Sequence, residues 1–436
     1  MNLIYRMIGG LCLAALLPGL TLRGQTVLHS PEEAWAQAQT QLSRVKTAAY
    51  QSQDLAADAK ISQAGYLPTL RLTGKTDYYP SLPVQLIPGE IFGGQPGSFQ
   101  EVRFGQPWVM NTGLEFQWPV FQMEKWLDIR ASQQAAGQGL INEDLEAERL
   151  KISLIQAYYE ALFWQDYVPF AEGLGVQAEA LYTITQEKFE QGLISRLDLN
   201  RSESLRQQIA MQITEARSRR ARTLLRLKET MQMPLDAELT LSDSLSGASL
   251  LRPVSPGVEL DPALRLSLLQ TDLAATRLQA RKWRAAPTLS LSSSYQFQWQ
   301  TDNLLKSQNY AAFNYGLVSL SLQWTLYQGG TQRTLQHKAQ IQLDQAREQA
   351  TRTRYELEAQ TAQWQSQWQE AADLRPSAAA RYDLTARNLA LALSRLSEGY
   401  SNLDEYFQLY QEHIQAAQAS FQNRLNLHVY EQLLQL

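Results

Sequence analysis

The sequence predicts a mixed α+β membrane protein made of a duplicated unit, with two transmembrane β-strands and one hairpin of long helices per unit. Three observations carry that expectation. Four runs of about ten residues alternate apolar and polar side chains with period two. Two stretches of roughly 70 residues keep helical spacing. After residue 25 there is no predominantly apolar run of about 18 residues, so any membrane crossing has to be made by strands.

The first element is an address. Arg6 stands in a short positive region, an apolar stretch follows from Ile8 to about Leu20, and Gly24 precedes Gln25. Residues 1–24 therefore read as a secretory signal cleaved before Gln25. The single cysteine, Cys12, falls inside it and follows Leu11, which does not suit a lipoprotein site. The exported chain has no cysteine, which excludes disulfides and Cys-based zinc sites, and four scattered histidines make a His-rich metal site a poor expectation. Net charge is −4 and the pI near 5.8, so no whole-molecule attraction for nucleic acid exists. Charged residues make up only 19%, their place taken by Gln, Ser, Thr and Ala.

The duplication is read from paired landmarks. Gly65-Tyr-Leu-Pro-Thr-Leu matches Arg284-Ala-Ala-Pro-Thr-Leu, with Pro68 and Pro287 219 residues apart. Trp118 and Trp324, in matching Gln-Trp segments, are 206 apart, and Gly192 and Gly399 are 207 apart, as are Pro169 and Pro376. The drop falls between the first and second landmarks, so the second copy has a shorter loop there. This sets a first repeat at 25–233, a linker rich in Ser, Leu and Pro at 234–258, and a second repeat at 259–436. Each repeat reads helix, strand, long loop, strand, long helix, turn, long helix.

Strands are expected at about 67–79, 108–120, 287–300 and 312–326. Their apolar positions include Leu70, Leu72, Leu114, Phe116, Leu289, Leu291, Leu320 and Leu322, set against Arg71, Glu115, Ser290 and Ser321. Aromatic residues lie near the strand ends, as in a lipid-facing strand. A soluble two-sheet domain would alternate in the same way. The export signal and the Pro/Gly-rich insert Pro80–Pro107, which suits a long external loop, favour the membrane reading. The long helices are expected over 121–190 and 328–398 and would each reach roughly 100 Å; Pro169 and Pro376 are expected to kink or interrupt them. Returning helices follow at 195–233 and 402–436, with coiled-coil stripes such as Tyr406, Tyr410, Ile414, Ala417 and Phe421.

Four strands leave two open edges, and unpaired backbone in hydrocarbon costs several kcal/mol per group. Four are also too few to close a barrel. The chain therefore has to pool strands with copies of itself, and the polar face calls for a wet lumen that three copies give room for.

At this point the chain resembles the TolC-like outer-membrane efflux family. The segments that carry the likeness are Leu67-Pro-Thr-Leu with Ala286-Pro-Thr-Leu, Leu326-Tyr-Gln-Gly-Gly330, Phe189-Glu-Gln-Gly-Leu-Ile-Ser-Arg-Leu-Asp198, and Leu396-Ser-Glu-Gly-Tyr-Ser-Asn-Leu-Asp-Glu405. The resemblance implies a homotrimer with a 12-stranded β-barrel in outer-membrane lipid, continued by a periplasmic α-helical coiled-coil tunnel. It implies an exit duct of a tripartite efflux or type I secretion system, docked to a periplasmic adaptor (membrane fusion) protein and an inner-membrane transporter. It places adaptor docking at the helix–helix turns, here Gly192, Leu193, Gly399 and Tyr400; a helix cap without a partner role is the plainer alternative. It suggests a charged periplasmic entrance at Asp198, Asp404 and Glu405, against which stands simple favour for acids at helix N-termini. The family's closing aromatic and arginine are absent, since those positions hold Leu396 and Ser401.

The rest reads as structure. Arg217, Arg219, Arg220, Arg222, Arg226 and Lys228 form a solvated helix face. Gly93-Gly-Gln-Pro-Gly97 lacks the Lys-Ser/Thr of a phosphate loop, Gly173-Leu-Gly175 signals a loop, and Trp364 with Trp368 reads as packing. No catalytic constellation, metal set or cofactor motif stands out, so an enzyme is not expected. The rival of another class is a periplasmic coiled-coil scaffold or adhesin without channel activity.

Overall fold

In the computed structural model the described residues are 26–39, 42–247, 253, 257–304, 310–400 and 402–436. The expected signal segment lies outside them. Elements follow in the order β1 (Thr26–Leu28), α1 (Pro31–Ala38), α2 (Ser43–Ala64), β2 (Thr69–Tyr78), β3 (Val84–Pro88), β4 (Phe99–Arg103), β5 (Trp108–Phe121), α3 (Met123–Glu190) and α4 (Arg196–Thr230). After these come β6 (Leu239–Leu241), α5 (Pro262–Trp283), β7 (Thr288–Thr301), β8 (Tyr310–Gln323), α6 (Thr331–Glu398) and α7 (Leu403–Leu433). The duplication is visible element by element: α2 and α5 both have 22 residues, and α3 and α6 both have 68.

Two compact units cut across the sequence repeats. One comprises Ser43–Arg149 and Val254–Trp364 and holds a four-stranded antiparallel sheet in the order β2-β5-β7-β8. Each of its hairpins is fed and drained by helices, α2 and α3 for the first, α5 and α6 for the second. All four helix junctions therefore lie at one end of the sheet, and the strand-to-strand connections lie at the other. Its helices pack through small side chains: Leu278 of α5 meets Ala339 and Leu343 of α6, and Ser62 of α2 bonds Ser132 of α3 at 2.8 Å. Arg281 reaches Glu124 at 3.1 Å, so the two repeats are tied at the helix–strand junction.

The second unit comprises Met1–Leu42, Leu150–Pro253 and Gln365–Gln435. Its core is a four-helix cluster in which Leu181 of α3, Ile209 of α4, Leu389 of α6 and Tyr406 of α7 are all but fully buried. A parallel ribbon of β1 with β6 completes it, held to α3 by Gln165 on the Leu241 carbonyl at 2.9 Å.

Several expectations are corrected. Pro169 and Pro376 do not interrupt their helices, and Gly173-Leu-Gly175 is helix rather than loop. Val168, Ala171, Leu174, Ala178 and Leu181 bury that face of α3, and lateral packing offsets the one backbone bond that proline removes. Gly175 has a packing reason: a β-carbon there would stand 2.8 Å from Ile213 Cδ1, so glycine lets α4 approach. The insert Pro80–Pro107 is not plain loop but contains the β3–β4 hairpin. The linker 234–258 contains β6, which pairs with β1 where no strand was expected. The fourth strand runs Tyr310–Gln323 rather than 312–326, which leaves Trp324 and Leu326 outside it.

Candidate functional site at the hairpin tips and the sheet face

Both helical hairpins turn on the same device. At the first tip Gly192 donates to the Phe189 carbonyl at 2.9 Å and Leu193 to the Lys188 carbonyl at 2.9 Å. At the second, Gly399 donates to Leu396 at 3.3 Å and Tyr400 to Arg395 at 2.9 Å. These paired bonds are a Schellman motif, which needs a left-handed residue at its centre, and Gly192 and Gly399 have φ of 73° and 88°. Nothing lies within 4 Å of a β-carbon built on either glycine. Leu193 and Tyr400, just beyond, are 67% and 75% exposed. Each tip therefore presents an apolar side chain on a rigid turn with open space beside it.

The returning helices start with side-chain caps. Ser195 accepts from the Asp198 amide at 3.2 Å, and the Asp198 carboxylate accepts from the Ser195 amide at 3.2 Å, a closed capping box. Asn402 accepts from the Glu405 amide at 2.7 Å. Asp198 thus has a local duty at a helix N-terminus, the plainer of its two expected roles. Asp404 is 3.0 Å from Arg201, which also stands 4.0 Å from Asp198. One guanidinium therefore offsets both acids, and an exposed pair of this kind contributes only about 0–1 kcal/mol. Arg201 and Lys188, whose ammonium donates to the Leu396 carbonyl, tie the two tips and were not singled out from sequence. Arg201 stands three residues after Asp198, a helical pairing that hinted at it; the partner of Lys188 is a backbone atom 208 residues away, for which no sequence signal exists. Leu396 is buried in the intrachain core, and Ser401 lies outside the described residues. Between the tips is a cleft of about 470 Å³ lined by Lys188, Leu193, Asp198, Gly399 and Asp404 among others.

Behind the tips the core carries polar groups. Thr185 and Ser202 bond at 2.6 Å between α3 and α4. His413 of α7 is 4% exposed, stacks on Tyr382 at 5.4 Å and bonds Thr385 at 3.1 Å. Burial holds its imidazole below the ordinary value of 6.5. As pH falls, the unfolded chain takes up this proton first, so stability present above about pH 6.5 is lost progressively below it. The unfolding midpoint is expected to drop between about pH 7.5 and about pH 5, and the drop should shrink in His413→Gln. An unchanged pH dependence in that variant would assign the effect elsewhere.

In the other unit, register decides which strand residues share a face. Leu70 pairs with Phe116, Leu72 with Leu114, Leu291 with Leu320 and Leu289 with Leu322. Trp118 opposite Leu291 and Phe116 opposite Ser293 link the two hairpins. All eight apolar positions singled out from sequence therefore lie on one face. Arg71, Glu115, Gln117, Ser292, Gln296 and Ser319 lie on the other, with Arg71 opposite Glu115. Ahead of Val318 the alternation in β8 reverses, which puts Phe313, Tyr315 and Leu317 on the polar face, where Tyr315 donates to Gln296 at 2.6 Å. β2 and β8 are edge strands with no partner on their outer sides among the described residues. No helix among those residues is long and apolar enough to cross a membrane, and no group of three His, Cys, Asp or Glu is placed to hold a metal.

Residues 34–231 match the outer membrane efflux protein family. No curated protein matches the chain. Among solved structures, a membrane protein from Pseudomonas aeruginosa has a TM-score of 0.78 at 14% identity, over 93% of this chain and 92% of that one. The open-state MtrE outer membrane channel of Neisseria gonorrhoeae gives 0.76 at 15% identity, over 93% and 88%. The CmeC outer membrane channel of Campylobacter jejuni gives 0.72 at 15% identity, over 92% and 83%. At such identities the likeness to these structures is one of fold.

Proposed function

Taking the chain as a TolC-like outer-membrane efflux protein, by the family match in its first half and by fold along nearly all of its length, we propose that it is the outer-membrane exit duct of an export machine. On this reading three copies close a 12-stranded barrel in outer-membrane lipid, their helices continue a conduit through the periplasm, and transport through it is passive. The hairpin tips at Gly192, Leu193, Gly399 and Tyr400 receive a periplasmic adaptor that links the duct to an inner-membrane transporter. Whether the machine is a tripartite pump or a type I secretion system turns on those partners.

The observation that carries the reading is the open sheet. It has one mainly apolar face, one mainly polar face that reverses only along the first half of β8, and two unsatisfied edges, a combination with no stable form for a lone chain in hydrocarbon. With four alternating strands, edges β2 and β8 run in opposite directions. A copy can therefore join edge to edge and keep every pair antiparallel. Leu70, Leu72, Leu114, Phe116, Leu289, Leu291, Leu320 and Leu322 then face lipid. Trp108 and Trp118 stand ten residues apart on the apolar face of β5. At about 3.3 Å per residue and a tilt near 40°, that spans roughly 25 Å of membrane normal, the height of an apolar barrel band with aromatic girdles.

The test is assembly and conductance. Detergent-purified protein is expected to show three times the protomer mass and to carry ionic current across a planar lipid bilayer. A stable monomer without current would overturn the reading and favour a scaffold.

A further inference from the structure

Among the differences between the two repeats in the second unit, one surrounds an arginine that both keep, and it leaves a cavity of definite chemistry. In the first repeat Arg217 of α4 reaches Glu172 of α3 with two nitrogens, Nε at 3.0 Å and Nη2 at 2.6 Å. Beside that pair Val168, Ala171 and Ala216 form a small apolar cluster against which Ile213 packs. The residues 207 positions later are Arg424 for Arg217, Ala379 for Glu172, Arg375 for Val168, Asn423 for Ala216 and Ser420 for Ile213. The second repeat keeps the arginine, lacks its carboxylate, and has polar groups where the first has an apolar floor.

These five residues and Ser246 line a concave cavity of about 170 Å³. Ser420 is 3% exposed and Asn423 8%. The Asn423 amide donates to the Ala371 carbonyl at 2.9 Å, the counterpart of a position that is Trp164 in the first repeat. The Arg424 guanidinium lies 5.8 Å from the Phe421 ring centroid and makes no ion pair among the described residues. Arg424 and Arg375, both charged at any working pH, thus border a small cavity that also presents hydroxyl groups. Arg375 already has Glu431 among the charges acting on it, so Arg424 is the guanidinium the cavity leaves without an acid. The fork of an arginine can hold a carboxylate by two charge-assisted hydrogen bonds, and in the first repeat one Glu172 oxygen accepts from both Nε and Nη2 of Arg217.

We propose that this cavity binds a small carboxylate anion, which takes the place against Arg424 that Glu172 takes against Arg217 and bridges α6 to α7. This inference stands apart from the duct reading, since it needs neither the barrel nor a partner protein.

The probe is malonate, added to the full-length protein in detergent at constant ionic strength, with chloride and inorganic phosphate as comparators. A saturable rise in the unfolding midpoint is expected with malonate and not with chloride. Arg424→Gln is expected to weaken malonate about tenfold or more, the cost of losing charge-assisted hydrogen bonds. Ala379→Glu, which supplies the internal acid, should raise the midpoint without malonate and abolish the response to it. Malonate acting no better than chloride, a response that persists in Ala379→Glu, or phosphate binding while malonate does not would each overturn the proposal. Inert malonate together with loss of assembly in Ala379→Glu would also overturn it, by giving the cavity to an acidic side chain of another molecule. Should either variant fail to fold, isothermal titration of malonate into the unaltered protein decides, and absence of saturable heat sinks the assignment.

Discussion

An arginine at Leu320 is expected to reduce membrane assembly, whereas an arginine at Ser319, its chain neighbour, is expected to leave assembly intact. The two side chains point to opposite faces of β8, since Leu320 pairs with Leu291 and Ser319 with Ser292. On the apolar face a charge costs roughly 2–4 kcal/mol per protomer at mid-membrane, the level of Leu72 and Leu114, and less in the row of Trp118, Leu291 and Leu320 toward one end of the band; three copies bear it together in one barrel. Summed over three protomers, that cost is a sizeable share of an ordinary folding free energy of about 5–15 kcal/mol and works against closure. On the polar face the same charge meets water and serine neighbours and costs little. Heat-resistant oligomer in the outer-membrane fraction is the readout. Equal behaviour of the two variants would remove the face assignment, and with it the barrel. Leu72→Arg set against Arg71 provides the larger contrast on the opposite edge strand, because Leu72 pairs with Leu114 near the middle of the band.

The second large effect is expected at the tips. Gly192→Trp and Gly399→Trp should each abolish export while oligomer and conductance survive. Within one chain a β-carbon at either position meets no atom within 4 Å, so the new side chain leaves the turn into open space. The intrachain cost is the left-handed backbone alone, about 1–2 kcal/mol confined to one exposed turn. Gly→Ala carries nearly all of that strain with little bulk. Export lost with tryptophan but retained with alanine therefore locates the clash on a partner. Export lost equally in both would make the turn itself, and not docking, the cause. Export unchanged in both would withdraw the tips as a docking site. Leu193→Asp and Tyr400→Asp extend the test to the exposed apolar side chains, with loss of adaptor crosslinking as the direct measure.

The strands were legible in sequence because a period of two is a local signal that survives any arrangement of the rest. Leu70 and Leu72, or Leu289 and Leu291, declare a shared face without reference to their neighbours. The tips were legible for a similar reason, since a glycine before an Ser or Asn cap is a helix stop followed by a helix start. Pro169 and Gly173 misled because their local signals are real but weak. A helix sealed on one side by Leu174, Ala178 and Leu181 outweighs them, and that sealing comes from α4, α6 and α7. Asp198 was ambiguous because a capping acid and an entrance acid carry the same letter at the same place.

Sequence by itself determined the duplicated plan, the four alternating strands and the long hairpins, since each depends on spacing within a segment or on the match between two segments. Only the tertiary structure decided that Arg201 reaches Asp404, that Thr26–Leu28 pairs with Leu239–Leu241, and that Arg424 and Ala379 line one polar cavity. Those contacts join residues far apart in the chain, and their energies arise from distance and desolvation, neither of which is encoded in the order of neighbouring letters.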